Sequence, residues 1–296
     1  MSFHLQHVIK AILLGFFALF FMKLHYTGEI TKYINPKYDV MSKITACIFI
    51  MLFLIQLFRI KQRHHVCSSN CNHDHGNNQF TLKRVMGYSI IIFPIITGFT
   101  LNPATLNATI AANKGSFLPQ HHSEEFSLFE HADSLTEKED IDIYTAEDIA
   151  LPNNNYLTED EYGKQLQLLQ GADIIEVTDS MYGPYNEQLN DNPQKYIGRK
   201  IKVTGFVYKE EGFHTNQFVL SRFMIVHCIA DASILGFLVE SEEANLYEED
   251  TWLAIEGVLD VTNYKGYNFP VIKATNWQVI DEPVEPYVYP VLTFIQ

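Results

Sequence analysis

His64, His65, Cys67, Cys71, His73 and His75 fall within a dozen positions, with Asp74 among them. Thiolate, imidazole and carboxylate are the ligand set of zinc and its transition-metal neighbours. The spacing Cys67-x3-Cys71-x-His73-x-His75 is not that of a zinc finger, which pairs C-x2-C with H-x3-H. It suits a flexible tract that wraps an ion as it orders, with thiols kept reduced in the cytoplasm. A solvated hinge with incidental ligand residues is the competing reading. Two weaker groups follow. His121, His122 and His131 lie in an acidic stretch and read equally well as part of a spacer. His227, Cys228 and Asp231 lie at the end of an expected strand and its turn. Adjacent strand residues face opposite sides, so His227 and Cys228 share a site only across a bulge. Cys228 also reads as a small buried apolar residue.

Nothing in the chain has the pattern of a catalytic site. There is no P-loop, dinucleotide fingerprint, nucleophile elbow or His-Glu-x-x-His. The scattered carboxylates solvate and are not placed as an acid–base pair. The expectation is a protein without enzymatic activity and without an organic cofactor.

The elements that would position these residues divide into unlike halves. Residues 1–114 carry 11 Lys or Arg against 3 Asp or Glu, and residues 115–296 carry 10 against 32. The second half is too acidic to attract nucleic acid. Three apolar segments lie in the first half. Val8–Leu24 is about 25 Å of helix, with Lys10 and Lys23 placed to snorkel. A secretory signal would need a small-residue cleavage site, which Lys23-Leu24-His25-Tyr26 does not provide. Ile44–Phe58 is the second span, ended by Arg59. Val85–Leu101 is the third, short and carrying Pro94, with a re-entrant segment as its alternative.

Arg59, Lys61, Arg63, Lys83 and Arg84 flank the loop at 59–85, which the positive-inside rule places in the cytoplasm. With three spans, everything beyond Leu101 lies outside the cell. The expected organisation is therefore a membrane domain at 1–114, an acidic linker at 115–157 and a β domain at 158–296. The protein is expected in a cell membrane as a multi-pass protein in contact with lipid.

In the β domain, Thr158–Gln170 reads as a helix with Thr158 as N-cap and Glu161 completing a capping box. Period-two alternation marks strands at Lys200–Tyr208, Gln217–Cys228, Leu235–Glu240, Thr251–Val261 and Asn268–Asp281. Gly205 and Gly257 mark bends. Five strands with this punctuation predict an all-β OB-like barrel, a small immunoglobulin-like sandwich being the alternative. The fold class is α + β, transmembrane helices followed by this barrel. Trp252, Tyr264, Tyr267 and Phe269 are candidates for a ligand or partner surface, though such aromatics more often form core and rim.

These features together resemble the bacterial YcgQ-like family, taken as subunits of a two-component permease. The resemblance rests on the apolar N-terminal spans, on the loop ending in His73-Asp74-His75-Gly76, and on Asn113-Lys114-Gly115. It continues through Tyr196-Ile197-Gly198-Arg199-Lys200-Ile201-Lys202-Val203-Thr204-Gly205-Phe206-Val207 and Ser221-Arg222-Phe223-Met224-Ile225-Val226-His227-Cys228-Ile229-Ala230-Asp231-Ala232. It implies a partner, a larger multi-span permease, and fits metal handling with zinc as the ion. The family pattern has two adjacent cysteines where this chain has His227-Cys228. Histidine still ligates a metal there, but a vicinal dithiol is lost. The expected function is a membrane-anchored accessory subunit of such a permease. The alternatives are a membrane-tethered assembly protein of the cell envelope without a transport role, and a metal-responsive sensor.

Overall fold

A computed structural model describes residues 5–60, 82–101, 104–114, 155–210, 212–264 and 267–294. The chain forms two compact units, Met1–Ala104 and Thr105–Gln296. The His/Cys tract and the acidic tract with His121, His122 and His131 lie outside the described residues.

The first unit is built from three apolar helices, α1 (Leu5–Thr27), α2 (Asp39–Ile60) and α3 (Leu82–Thr100). Gly28 stops α1 because it adopts φ 74°, a conformation open to glycine. Asn35 restarts the chain by accepting the Lys37 N–H, with Pro36 in the first turn. α1 and α2 pack antiparallel. Phe17 stacks on Phe49 with ring centroids 5.3 Å apart, and Gly15 faces the Phe53 ring. Such close approach at glycine is how helices associate where the solvent is itself apolar. α3 runs alongside α1 in the same direction, with Phe99 set edge-on to Phe16 and Phe20, and Ile92 and Ile96 lining one groove with Ile9 and Ile12.

Among the described residues, two helical segments, His7–Thr27 and Pro36–Ile60, are long and apolar enough to cross a membrane. Three such spans were expected, and this is corrected. The third segment is helical and Pro94 does not break it. Its apolar part, Met86–Thr100, is however only about 22 Å of helix against a hydrocarbon core of about 30 Å.

The second unit holds a seven-stranded sheet made of β2 (Ile174–Glu176), β3 (Lys200–Tyr208), β4 (Gln217–Met224), β5 (Ser233–Glu240), β6 (Trp252–Tyr264), β7 (Tyr267–Val279) and β8 (Tyr287–Val288). β3, β4, β5, β7 and β6 pair in that order, and β6 returns to β3, closing the expected five-stranded barrel. Closure depends on a short contact. β3 and β4 pair only over Phe206–Tyr208 and Val219–Ser221. Where they diverge, β2 adds in parallel to β3 and β8 adds in parallel to β4. Strand β1 (Tyr156–Thr158) pairs in parallel with β9 (Leu292–Phe294) in a separate small sheet.

An all-β barrel preceded by one helix was expected; that helix is α5 (Glu159–Gly171), and the unit also carries α4 (Ala108–Lys114) and α6 (Tyr182–Asp191). They are present because the barrel buries two apolar surfaces. Ile201, Val203, Phe218, Leu220, Leu253 and Ile272 fill the inside, joined by Tyr182 and Leu189 of α6 and Leu169 of α5. Phe206, Val219, Phe223 and Tyr287 form a second cluster outside the wall, covered by Ala108 and Ala111 of α4. β4 is accordingly buried on both faces after its first residue. Each such side chain contributes about 1.5–3 kcal/mol on burial.

α5 begins as the sequence reading requires. The Thr158 hydroxyl accepts the Glu161 N–H, and the Glu161 carboxylate accepts the Thr158 N–H. At its far end the Arg199 guanidinium donates to the carbonyls of Leu169 and Ala172.

α4 belongs to the sheet unit, so the division between units comes earlier than the expected break after residue 114. Asp250, held at φ 68°, accepts the Ala108 N–H at 2.6 Å, and the Tyr287 hydroxyl accepts the Leu106 N–H. The chain leaves the second unit after Lys114 and re-enters it at Asn155, whose amide donates to the carbonyls of Ser180 and Tyr289. Residues 115–154 therefore join two parts of one unit and do not separate membrane from barrel.

Candidate functional site

Of the sequence-predicted ligands, the structure describes His227, Cys228 and Asp231. They lie beyond the end of β4, in the turn around Ile229–Asp231, so strand alternation does not govern them. Asp231 locks the turn. Its carboxylate accepts the N–H groups of Val226, His227 and Cys228 at 3.2, 2.9 and 3.2 Å. The His227 imidazole Nδ1 lies 2.9 Å from the same carboxylate, and the ring is largely exposed. These contacts occupy most of the acceptor sites a carboxylate offers. Among the described residues, no three His, Cys, Asp or Glu side chains gather to hold a metal.

The strongest polar node of the barrel is Arg222, to which the sequence reading gave no role. It is 1% exposed. Its Nε donates to the Pro286 carbonyl and an Nη to the Glu285 carbonyl, both at 3.1 Å. Its other Nη pairs with Asp179 at 3.0 Å. The guanidinium plane lies 5.2 Å from the Trp252 ring and 6.0 Å from the Tyr182 ring. A buried cation is tolerated only when paired and hydrogen-bonded, and here both conditions hold. Asp179 precedes α6 and Glu285-Pro286 precedes β8, so one side chain ties both additions to the barrel wall. Burial pushes the Tyr182 phenol well above its ordinary pKa, keeping its proton for the Leu220 carbonyl. The clue in the sequence was a lone arginine inside an otherwise apolar strand.

Of the candidate aromatic surface, Phe269 is buried and Trp252 is half-buried. Trp252 packs on Phe206 and Arg222. The side chains of Tyr264 and Tyr267 lie outside the described residues. A shallow polar trough does cross β2, β3, β6 and β7, lined by Glu176, Lys202, Thr204, Glu256, Asn276 and Gln278. Lys202 and Glu256 pair across it at 2.6 Å.

In the helical unit, two histidine contacts close the α1–α2 hairpin at its two ends. Gln56 is buried, and its amide nitrogen lies 2.8 Å from His7 Nδ1 and 3.3 Å from the His7 carbonyl. At the other end His25 lies 3.1 Å from the Ser42 hydroxyl and 3.3 Å from Asp39, which Lys43 also pairs at 2.6 Å. Polar contacts between helices of this kind fix register in apolar surroundings. The sequence reading missed both.

A hairpin of membrane-length helices joined to a barrel with helical covers defines the class of protein, and sequence comparison gives its family. The DUF1980 N-terminal domain matches residues 9–117 and the DUF1980 C-terminal domain matches residues 138–290. The chain belongs to this family. The UPF0703 protein YcgQ of Bacillus subtilis is 32% identical over 294 residues, covering 94% of this chain and 97% of its own, which bears out the expected resemblance. A Streptococcus mutans protein named "Putative two-component membrane permease complex subunit" is 25% identical over 288 residues, with the same coverage of both chains. Among solved structures, the small single-stranded DNA-binding protein of Streptomyces coelicolor matches 28% of this chain and 93% of its own, at 10% identity and a TM-score of 0.20.

Proposed function

We propose that this protein is a membrane-anchored accessory subunit of a two-component permease, with no catalytic step of its own. The observation that carries the proposal is the Streptococcus mutans relative, which matches almost end to end and is named for such a complex. The helical unit supports it. Ile44, Ile48, Met51 and Phe58 of α2 and Ile90 and Phe93 of α3 are exposed, an apolar surface suited to a multi-span partner within lipid. The partner is that permease, and nucleic acid is not a ligand of so acidic a domain.

The OB-like barrel faces the extracytoplasmic side in this proposal. α3 runs in the direction of α1, so the chain leaves it on the side away from the end of α2, where the 59–85 loop begins. The basic residues beside that loop favour the cytoplasm. This placement requires the short α3 to cross, and a C-terminal fusion tests it.

The test is co-purification and topology together. A tagged full chain is expected to recover a multi-span membrane protein in stable complex. An alkaline phosphatase fused at the C-terminus is expected to be active. Recovery with wall or secreted proteins alone would favour the envelope-assembly alternative. A fusion active only with a cytosolic reporter would return the barrel to the cytoplasm.

Zinc handling is a finer version of this proposal, and it rests on the residue types at 64–75 alone. Zinc titration of the full chain is expected to show tight binding that is lost in the Cys67→Ser/Cys71→Ser variant. Equal affinity in both proteins would remove zinc from the proposal.

A further inference from the structure

The gap between α1 and α3 is a groove of about 430 Å³ with an entirely apolar lining. Ile9, Ile12 and Phe16 form one wall, and Ile92, Ile96 and Phe99 form the other. We propose that it holds an acyl chain of an anionic phospholipid, whose headgroup meets the basic residues at the open ends of the helices.

Charge identifies the occupant. The His7–Gln56 contact places the start of α1 beside the end of α2, and α3 runs in the direction of α1. The start of α1, the end of α2 and the start of α3 therefore share one side. They carry Lys10, Arg59, Lys83 and Arg84. The one carboxylate in these three helices, Asp39, lies at the opposite end of the hairpin, paired with Lys43 and His25. Basic residues gathered at one end of an apolar groove between helices are the arrangement that attracts anionic headgroups.

Packing argues against a rigid helix in the groove. Helices approach closely in membranes through small residues. The walls here are isoleucine and phenylalanine, while Gly15 and Gly98 face Phe53 and Phe20. Bulky walls keep backbones apart and leave a space that a flexible chain can fill.

The experiment exchanges the solubilised full chain into mixed micelles of phosphatidylcholine and phosphatidylglycerol and measures retained lipid by native mass spectrometry. The expected preference for phosphatidylglycerol is on the order of tenfold or more. It should fall to parity in Lys10→Gln/Lys83→Gln/Arg84→Gln. The variant Ile12→Trp/Ile96→Trp should lose bound lipid of both kinds while its helix content, read by circular dichroism, stays unchanged. Equal retention of the two lipids by the natural chain overturns the proposal, as does an unchanged preference in the triple variant. Should the tryptophan variant shed a co-purifying membrane protein and keep its lipid, the groove belongs to a partner helix and the proposal fails.

Discussion

Replacing Arg222 by Ala is expected to destabilise the sheet domain by about 3–5 kcal/mol, the range for breaking a buried, hydrogen-bonded charge pair. The change removes donors from the carbonyls of Glu285 and Pro286. It also opens a void between Trp252 and Tyr182. Removing Asp179, which is 47% exposed, should cost less than removing Arg222, because the carbonyl contacts of the guanidinium remain while its counter-charge is lost. Both tryptophans of the chain, Trp252 and Trp277, belong to the barrel strands, so fluorescence-detected urea unfolding reads this domain alone. Equal costs for the Arg222 and Asp179 variants would mean that the surface ion pair carries the stability and the carbonyl contacts do not.

Gly205→Ala is expected to cost about 1–3 kcal/mol, the range for overpacking a tight site. A Cβ at this position would sit 2.6 Å from the Ser221 carbonyl oxygen and 3.0 Å from the Ser221 nitrogen. Both are backbone atoms, so no side chain can rotate away. Ser221 pairs with Phe206 in the brief β3–β4 contact, which makes Gly205 the hinge of barrel closure. Loss should appear in the unfolding midpoint, and Gly163→Ala, with nothing within 4 Å of its added carbon, is the control. Ser221 and Arg222 are neighbours, so the Gly205 and Arg222 changes should not add. Equal midpoints for Gly205→Ala and the control would show that the closure yields readily.

The five barrel strands were legible because alternation over eight or more residues outweighs local ambiguity, as in Lys200–Tyr208 and Trp252–Tyr264. Thr158 and Glu161 announced α5 because a capping box is a local pattern. β1, β8 and β9 were not legible. Two or three residues carry no period, and their pairing comes from distant chain. The third apolar segment was placed nearly where α3 lies, and the error was to count so short a stretch as a full span. Arg222 was passed over because its partners lie more than forty positions away in either direction of the chain, at Asp179, Glu285 and Pro286. His25 and Ser42, on facing helices, escaped for the same reason. The cysteine and histidine pattern at 64–75 was plain to read, but a pattern of residue types does not say whether the chain brings them together.

The seating of α4 has a consequence for how the molecule comes apart. A protease cutting once between residues 115 and 154 would not set the barrel adrift. The helix that follows the membrane segment would still be gripped by Asp250 and Tyr287, with Ala108 and Ala111 sunk in the wall. The nicked protein would persist as two fragments behaving as one, and shedding would require prising out a seven-residue plug.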